Sequence, residues 1–212
     1  MMEIFDKNNI LDQFDGSSNF KIEIGCGKQK KFDDFLGIDI IDHECVDIVG
    51  DAMAILKLFR ENSVSYLYMS HFLEHVPDLG AYINEFSRVI SPGGQVEIIA
   101  PHFSNPYYYS DSTHKTFFGL YTLSAFARDN IHSRKVPTYD NKMCFYLKRA
   151  DLVFKSSKPF YFRHTLKLLL GLIFNSCKYM RELYEENFPF LIPCYEVKYL
   201  LIKNENITAQ SV

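Results

Sequence analysis

Five short groups of residues in this chain have types and spacings that could do chemistry. Glu23-Ile24-Gly25-Cys26-Gly27 directly follows a β-rich run, and its glycines let the backbone turn sharply and come close to a ligand. Asp39 ends a second apolar run, where a carboxylate beside the first turn can accept both hydroxyls of a ribose. Gly50-Asp51-Ala52 and Ser70-His71-Phe72-Leu73-Glu74-His75 close two further runs. The fifth group, His102 to Phe118, is polar and aromatic and holds Tyr107-Tyr108-Tyr109, Asp111 and His114. Histidine is the side chain best matched to accepting a proton near neutral pH. Each group alone also reads as a tight turn, a helix cap or a packed ring. The first four fall together at the carboxyl ends of successive strands, where open α/β sheets bind ligands.

The elements that must position these residues follow from pattern. FKIEI (20–24), FLGIDII (35–41), VDIVGDA (46–52), SVSYLYMS (63–70) and QVEIIAP (95–101) read as strands. MAILKLFREN (53–62) and AYINEFSRVI (81–90) have helical spacing, and Ser91-Pro92-Gly93-Gly94 stops the second of them. Strands that are apolar throughout and alternate with helical segments predict a parallel sheet with helices on both faces. After Pro101 the rhythm changes. Residues 102–118 read as a loop, 120–130 as a helix, 143–157 as a strand or hairpin arm, and 163–188 as one long helix. CYEVKYLLIKNE (194–205) reads as a late strand, placed at an edge by Glu196, Lys198 and Lys203. The order is five βα units and then an antiparallel pair with an insertion between its members.

Composition bounds the answer further. A chain of 212 residues suits one domain and leaves little room for a second of normal size. With 23 Lys and Arg against 26 Asp and Glu, the net charge of −3 argues against a general nucleic-acid binder, which carries a basic stripe. The first residues lack the basic and apolar regions of a signal peptide, and Leu166–Phe174 is too short to span a bilayer. Five scattered cysteines with no CxxC pair read as reduced thiols of a cytoplasmic protein. No dense carboxylate or His/Cys set calls for a metal, and none is expected, although the sequence leaves metal dependence open.

Glu-x-Gly-x-Gly, the second-strand Asp39, Gly-Asp-Ala, Leu-Glu-His-Val (73–76) and Arg-Val-Ile-Ser-Pro-Gly-Gly (88–94) together resemble the class I S-adenosylmethionine-dependent methyltransferases, in the ubiquinone/menaquinone-biosynthesis-like type 11 branch. The resemblance covers about residues 20–101. It implies a Rossmann-like, seven-stranded methyltransferase sheet in a single domain over 1–212, with 20–101 as the cofactor-binding half. It also implies S-adenosylmethionine over residues 23–27, that is Glu23, Gly25, Cys26 and Gly27. Asp39 and Ile40 would lie by the ribose, Asp51 and Ala52 by the adenine, and Ser70 and His71 near the methionine portion. One departure is Ser65-Tyr66, where the family has Phe-Asp at the opening of the fourth strand. The run Asp111-Ser112-Thr113-His114-Lys115-Thr116-Phe117-Phe118 more loosely resembles small bacterial methyltransferases linked to surface polysaccharides and other sugars.

That second resemblance suggests a carbohydrate hydroxyl as acceptor. A hydroxyl is a poor nucleophile until a base takes its proton. His114 is the expected base, with Asp111 and Tyr108 helping to bind the acceptor and His71 as the rival; His75 and His102 are weaker candidates. Residues 102–118 and 158–193 are the expected acceptor loop and lid insertion; the 163–188 helix reads as a lid or a homodimer face ahead of a membrane-surface helix. A nicotinamide dehydrogenase is disfavoured, because Lys30 replaces the third glycine of GxGxxG. Its Tyr199 and Lys203 would also lie roughly 13 Å apart on a strand. A methyltransferase of another small metabolite, or a non-catalytic relative that only binds, stays open.

Overall fold

The computed structural model describes residues 4–11, 19–138 and 144–205. The N-terminal part of the sheet is β1 (Phe5–Asp6), β2 (Phe20–Ile24), β3 (Leu36–Asp39), β4 (Ile48–Val49) and β5 (Val64–Ser70). It continues with β6 (Ile90–Pro101), β7 (Ala127–Asp129), β8 (Phe145–Val153) and β9 (Glu196–Lys203). The strands lie side by side in the order β1-β4-β3-β2-β5-β6-β9-β8-β7. The inner seven, from β4 to β8, are the seven expected. β1, antiparallel to β4, and β7, parallel to β8, add one short strand at each edge and bring the count to nine.

β2 to β6 run parallel, so their carboxyl ends share one rim. β9 runs antiparallel to β6 and starts at that rim, where Glu196 pairs with Pro101. This placement corrects the expected edge position of the last strand: β9 is central, between β6 and β8. Two of its three charges sit at its ends, each with partners, and Lys198 is paired on both sides by Ile99 and Asp151. Lys203 Nζ donates to Asn62 Oδ1, Ser87 O and Ile90 O at 2.6–2.8 Å. Glu196 reaches His71 and Lys155.

The helices are α1 (Ala52–Leu56), α2 (Leu79–Val89), α3 (Tyr161–Phe174) and α4 (Lys178–Asn187). α2 starts two residues earlier than its spacing suggested, because Asp78 caps it by accepting from Ala81 N–H at 2.9 Å. It buries Tyr82, Ile83, Phe86 and Val89, the expected stripe. The Pro-Gly-Gly that follows is a bulge within β6: Val64 pairs with Ile90 and Tyr66 with Gln95, so three extra residues loop out. The expected 163–188 helix is two helices. Asn175 ends the first, its Nδ2 donating to Gly171 O and Leu152 O while its Oδ1 accepts from Leu152 N–H. The expected 120–130 helix is a 3-10 turn, Thr122–Ala125, followed by β7. Pairing of Ala127–Asp129 with β8 supplies backbone partners that a helix would have found internally.

Side-chain alternation gives the sheet two unlike faces. Leu67 and Met69 of β5 join the main core with Ile22, Ile98, Tyr199 and the inward residues of α1, α2 and α4. Tyr68 and the half-buried Tyr66 point the other way, into a small aromatic cluster with Phe32, Phe35 and Ile99. Among the described residues no helical side chain enters that cluster. Over β2 and β5 this face carries Phe32 and Phe35 of the 25–35 loop.

Candidate active site

The first turn is built by close approach. Gly25 and Gly27 take φ of +71° and +59°, a region that side chains disfavour. A Cβ at Gly25 would sit 3.3 Å from Phe72, so the turn lies directly against the loop after β5. Asp39 locks the turn to the second strand: Gly27 N–H donates to its Oδ2 at 2.8 Å, and Ile41 N–H to its Oδ1 at 2.9 Å. Each carboxylate oxygen makes one backbone bond and keeps lone-pair capacity for a ligand. Glu23 is buried and accepts from Lys31 N–H at 2.8 Å, pinning the loop behind the turn. Burial raises its pKa against those backbone bonds. Cys26 is buried as well, and desolvation pushes its thiol up to about 12.

A cleft of about 340 Å³ opens along the rim. Six of the residues expected at a cofactor line it: Gly25, Asp39, Ile40, Asp51, Ala52 and His71. Glu23, Cys26, Gly27 and Ser70 do not, and Glu23 instead positions the turn from behind. Ile24, Ile38, Gly50, Phe72, His75 and Tyr82 complete the wall. Tyr82 hides in the helical stripe of α2, where spacing marks it as core. Burial and the Asp51 charge push its hydroxyl up to about 12. Asp51 also caps α1, its Oδ1 accepting from Ala54 N–H at 2.8 Å.

His71, with φ +56°, sits between two buried carboxylates. Its Nε2 bonds Glu196 Oε1 at 2.9 Å and its Nδ1 lies 3.2 Å from Glu74 Oε1. These partners, Glu196 first, raise its pKa to about 9 against the opposing effect of burial. With both nitrogens facing carboxylates, His71 is an imidazolium at neutral pH and not the rival base expected from sequence. Lys155 Nζ, 2.7 Å from Glu196 Oε1, adds a second cation, and the two hold the Glu196 carboxyl below its ordinary range despite burial.

The loop after β6 folds back onto this rim. Lys115 and Thr116 both donate their N–H to Glu74 O, at 2.7 and 3.1 Å. This brings His114 against His75, their rings 4.9 Å apart. Asp111 Oδ2 is 3.7 Å from His114 Nε2, a loose contact on the expected pair. Tyr108 departs from expectation: it is only 3% exposed and its hydroxyl donates to Thr116 O at 2.9 Å. It packs under His114 instead of facing an acceptor. Tyr107, Tyr109 and Phe117 are the exposed rings. His102 is fully buried between Ser104 and Glu185. Glu74, His75 and His114 converge here, although some forty residues separate them in sequence.

The cleft fits a nucleoside-bearing cofactor by its own features. A side chain at Gly25 would crowd Phe72, Asp39 offers two oxygens to a pair of hydroxyls, and Ile40, Ala52 and Tyr82 flank space for a flat ring. Residues 22–98 match a family model described as a methyltransferase domain. Among curated proteins none matches the chain significantly. Among solved structures, an S-adenosylmethionine-dependent methyltransferase from Archaeoglobus fulgidus is 14% identical at TM-score 0.56, covering 88% of this chain and 86% of that one. The YcgJ protein from Bacillus subtilis is 14% identical at TM-score 0.53, with 89% and 93% covered. Phosphoethanolamine N-methyltransferase 2 from Haemonchus contortus, in complex with S-adenosyl-L-methionine, is 14% identical at TM-score 0.52; 92% of this chain spans about half, 51%, of that one. These likenesses show a shared fold, the Rossmann-like sheet of the class I methyltransferases. The domain match over residues 22–98, about a third of the chain, and these shared folds support an S-adenosylmethionine-dependent methyltransferase domain in this chain.

Proposed function

We propose that this enzyme methylates a hydroxyl of a small carbohydrate-type acceptor, such as a surface-polysaccharide precursor. The observation that carries the reading is the 102–118 loop. It is tied to the rim through Glu74 O, it presents His114 beside the cleft residue His75, and it carries exposed rings at Tyr107, Tyr109 and Phe117. Exposed aromatic faces next to polar groups suit a ring that is apolar on its faces and hydroxylated at its edge.

The roles divide along the rim. The first turn offers backbone at Gly25, Cys26 and Gly27, Asp39 accepts the ribose hydroxyls with Ile40 beside them, and Asp51 and Ala52 lie by the adenine. When bound, S-adenosylmethionine supplies the activated methyl group. The remaining task of the chain is to align the acceptor and deal with its proton. His114 is the group we assign to the acceptor hydroxyl, through Nε2. Its Nδ1 lies 2.9 Å from Tyr108 O; a carbonyl only accepts, so Nδ1 carries the hydrogen, and in the neutral ring Nε2 is the nitrogen with the lone pair. Asp111 helps to bind the acceptor. Five free cysteines support work in the cytoplasm, and the exposed leucines of α3 support association of two copies through that helix.

Mass spectrometry of the purified enzyme with S-adenosylmethionine and a panel of sugars, nucleotide sugars and amines tests the acceptor class. Methylation at a sugar hydroxyl is the expected result. Transfer only to amines would overturn the reading.

A further inference from the structure

We propose that Glu74, His75 and His114 form a binding site for one divalent transition-metal ion, of the zinc or cobalt kind, at the acceptor end of the cleft. The inference rests on the methyltransferase reading for its purpose and on three independent features of the side chains for its existence.

The first is convergence. One ligand-capable atom from each of the three residues lies within 4.8 Å of the others. Two imidazoles and a carboxylate are a recurrent donor set for such ions, with the remaining positions left to water or substrate.

The second is the state of the two rings. His114 Nδ1 donates to Tyr108 O, as argued above. His75 Nδ1 lies 2.8 Å from Thr113 Oγ1, whose own hydrogen goes to Asp111 Oδ1 at 2.6 Å. Thr113 Oγ1 must therefore accept, and His75 Nδ1 carries the hydrogen. Both rings thus have Nδ1 held by an oxygen acceptor, so that in the neutral rings Nε2 carries the lone pair; Asp111 Oδ2 stands a loose 3.7 Å from that of His114. Metal-binding histidines are held in this way.

The third is Glu74. Its side chain is 1% exposed; Oε1 faces the His71 ring at 3.2 Å, and Oε2 has no hydrogen-bond partner among the described residues. A buried carboxylate oxygen without a donor is costly, and a cation resolves the cost. Asp111 Oδ2, 3.7 Å from His114 Nε2, is a further oxygen near the site.

His75 lines the cofactor cleft, so an ion here has its open side toward the acceptor. With the ion in place, His114 acts as a ligand and the cation faces the acceptor oxygen. Without it, His114 meets the hydroxyl directly.

The full chain, stripped with chelator, is titrated with Co²⁺ and then Zn²⁺, following the Co²⁺ visible absorption and the heat of binding. S-adenosylmethionine is titrated into the same preparation. The expected result is one equivalent of metal per chain, displaced by Zn²⁺. In His114→Ala and in His75→Ala, binding should weaken by at least ~10–100-fold. Both variants change partly exposed rings, and thermal melting checks that they fold. Glu74→Gln, which keeps the shape of a buried side chain, should weaken binding likewise. Absence of stoichiometric binding to the wild type, or binding undiminished in both histidine variants, overturns the site. Retained S-adenosylmethionine binding then leaves the methyltransferase reading intact, and loss of that binding in the wild type would count against the reading itself.

Discussion

Asp39 serves two purposes with one carboxylate. It closes the first turn through Gly27 and Ile41, and it keeps lone pairs for a ligand. Asp39→Ala should weaken S-adenosylmethionine binding by ~1–3 kcal/mol through lost charge-assisted bonds. Asp39→Asn should lose less, since one oxygen remains to accept. Calorimetry on both variants checks the order, and equal affinity to wild type in Asp39→Ala would remove the residue from the cofactor site. His114→Ala should slow the chemical step by ~10²–10⁴-fold and leave cofactor affinity nearly unchanged, as read by single-turnover kinetics. A wild-type single-turnover rate would eliminate His114 from the acceptor side. The first turn and Asp39 were legible because a glycine-rich turn and a strand-end acid report local backbone needs. Glu74 was not: it looked like part of a motif, and only the folded chain places its carboxylate in the dark beside two rings. Tyr108 misled for the opposite reason. A tyrosine triplet in a polar loop reads as surface, yet the middle ring turns inward and its neighbours turn out.

At the scale of elements, the parallel strands announced themselves by apolar runs, and α2 by its stripe. The last strand did not. Charges usually mark an edge, but here two of the three mark ends, where Lys203 finds three oxygens and Glu196 two cations. The long helical pattern at 163–188 was right in period and wrong in continuity. Nothing in spacing alone shows that Asn175 prefers the backbone of β8 to a further turn of helix. Asn175→Ala removes two hydrogen bonds that join α3 to β8, and a third to Gly171 O within α3. It leaves the Leu152 amide and carbonyl without those partners, and should cost about 1–3 kcal/mol. Urea denaturation checks this; an unchanged midpoint would mean that the junction bears no load.

At the scale of the molecule, the rim gathers the chemistry and α3 carries a different surface. Leu166, Leu168, Leu169, Leu172 and Ile173 are all exposed, although no helix among the described residues is long and apolar enough to cross a membrane. Contiguous exposed apolar area of this kind marks an interaction surface. Sedimentation velocity should show self-association that Leu169→Glu with Leu172→Glu abolishes while cofactor binding persists. A wild type that stays monomeric at high concentration would point to α3 as a lid or as a surface for some other partner.

The central seat of β9 also bears on how the protein is made. Synthesis delivers β6 and β8 well before the strand that lies between them. A nascent chain that has reached residue 190 holds an apolar strand, with Val96, Ile98 and Ala100, open along one side, and it still lacks Glu196 beside His71. Such open strands invite pairing with other chains. The two halves of the sheet therefore become one body only after residues 196–203 leave the ribosome and thread between strands already made. Arrested chains ending near 190 should be cut readily by protease, whereas chains extended past 205 with a tether to clear the exit tunnel should resist. Resistance in the shorter chains would show that the cofactor half sets its structure before its central neighbour arrives.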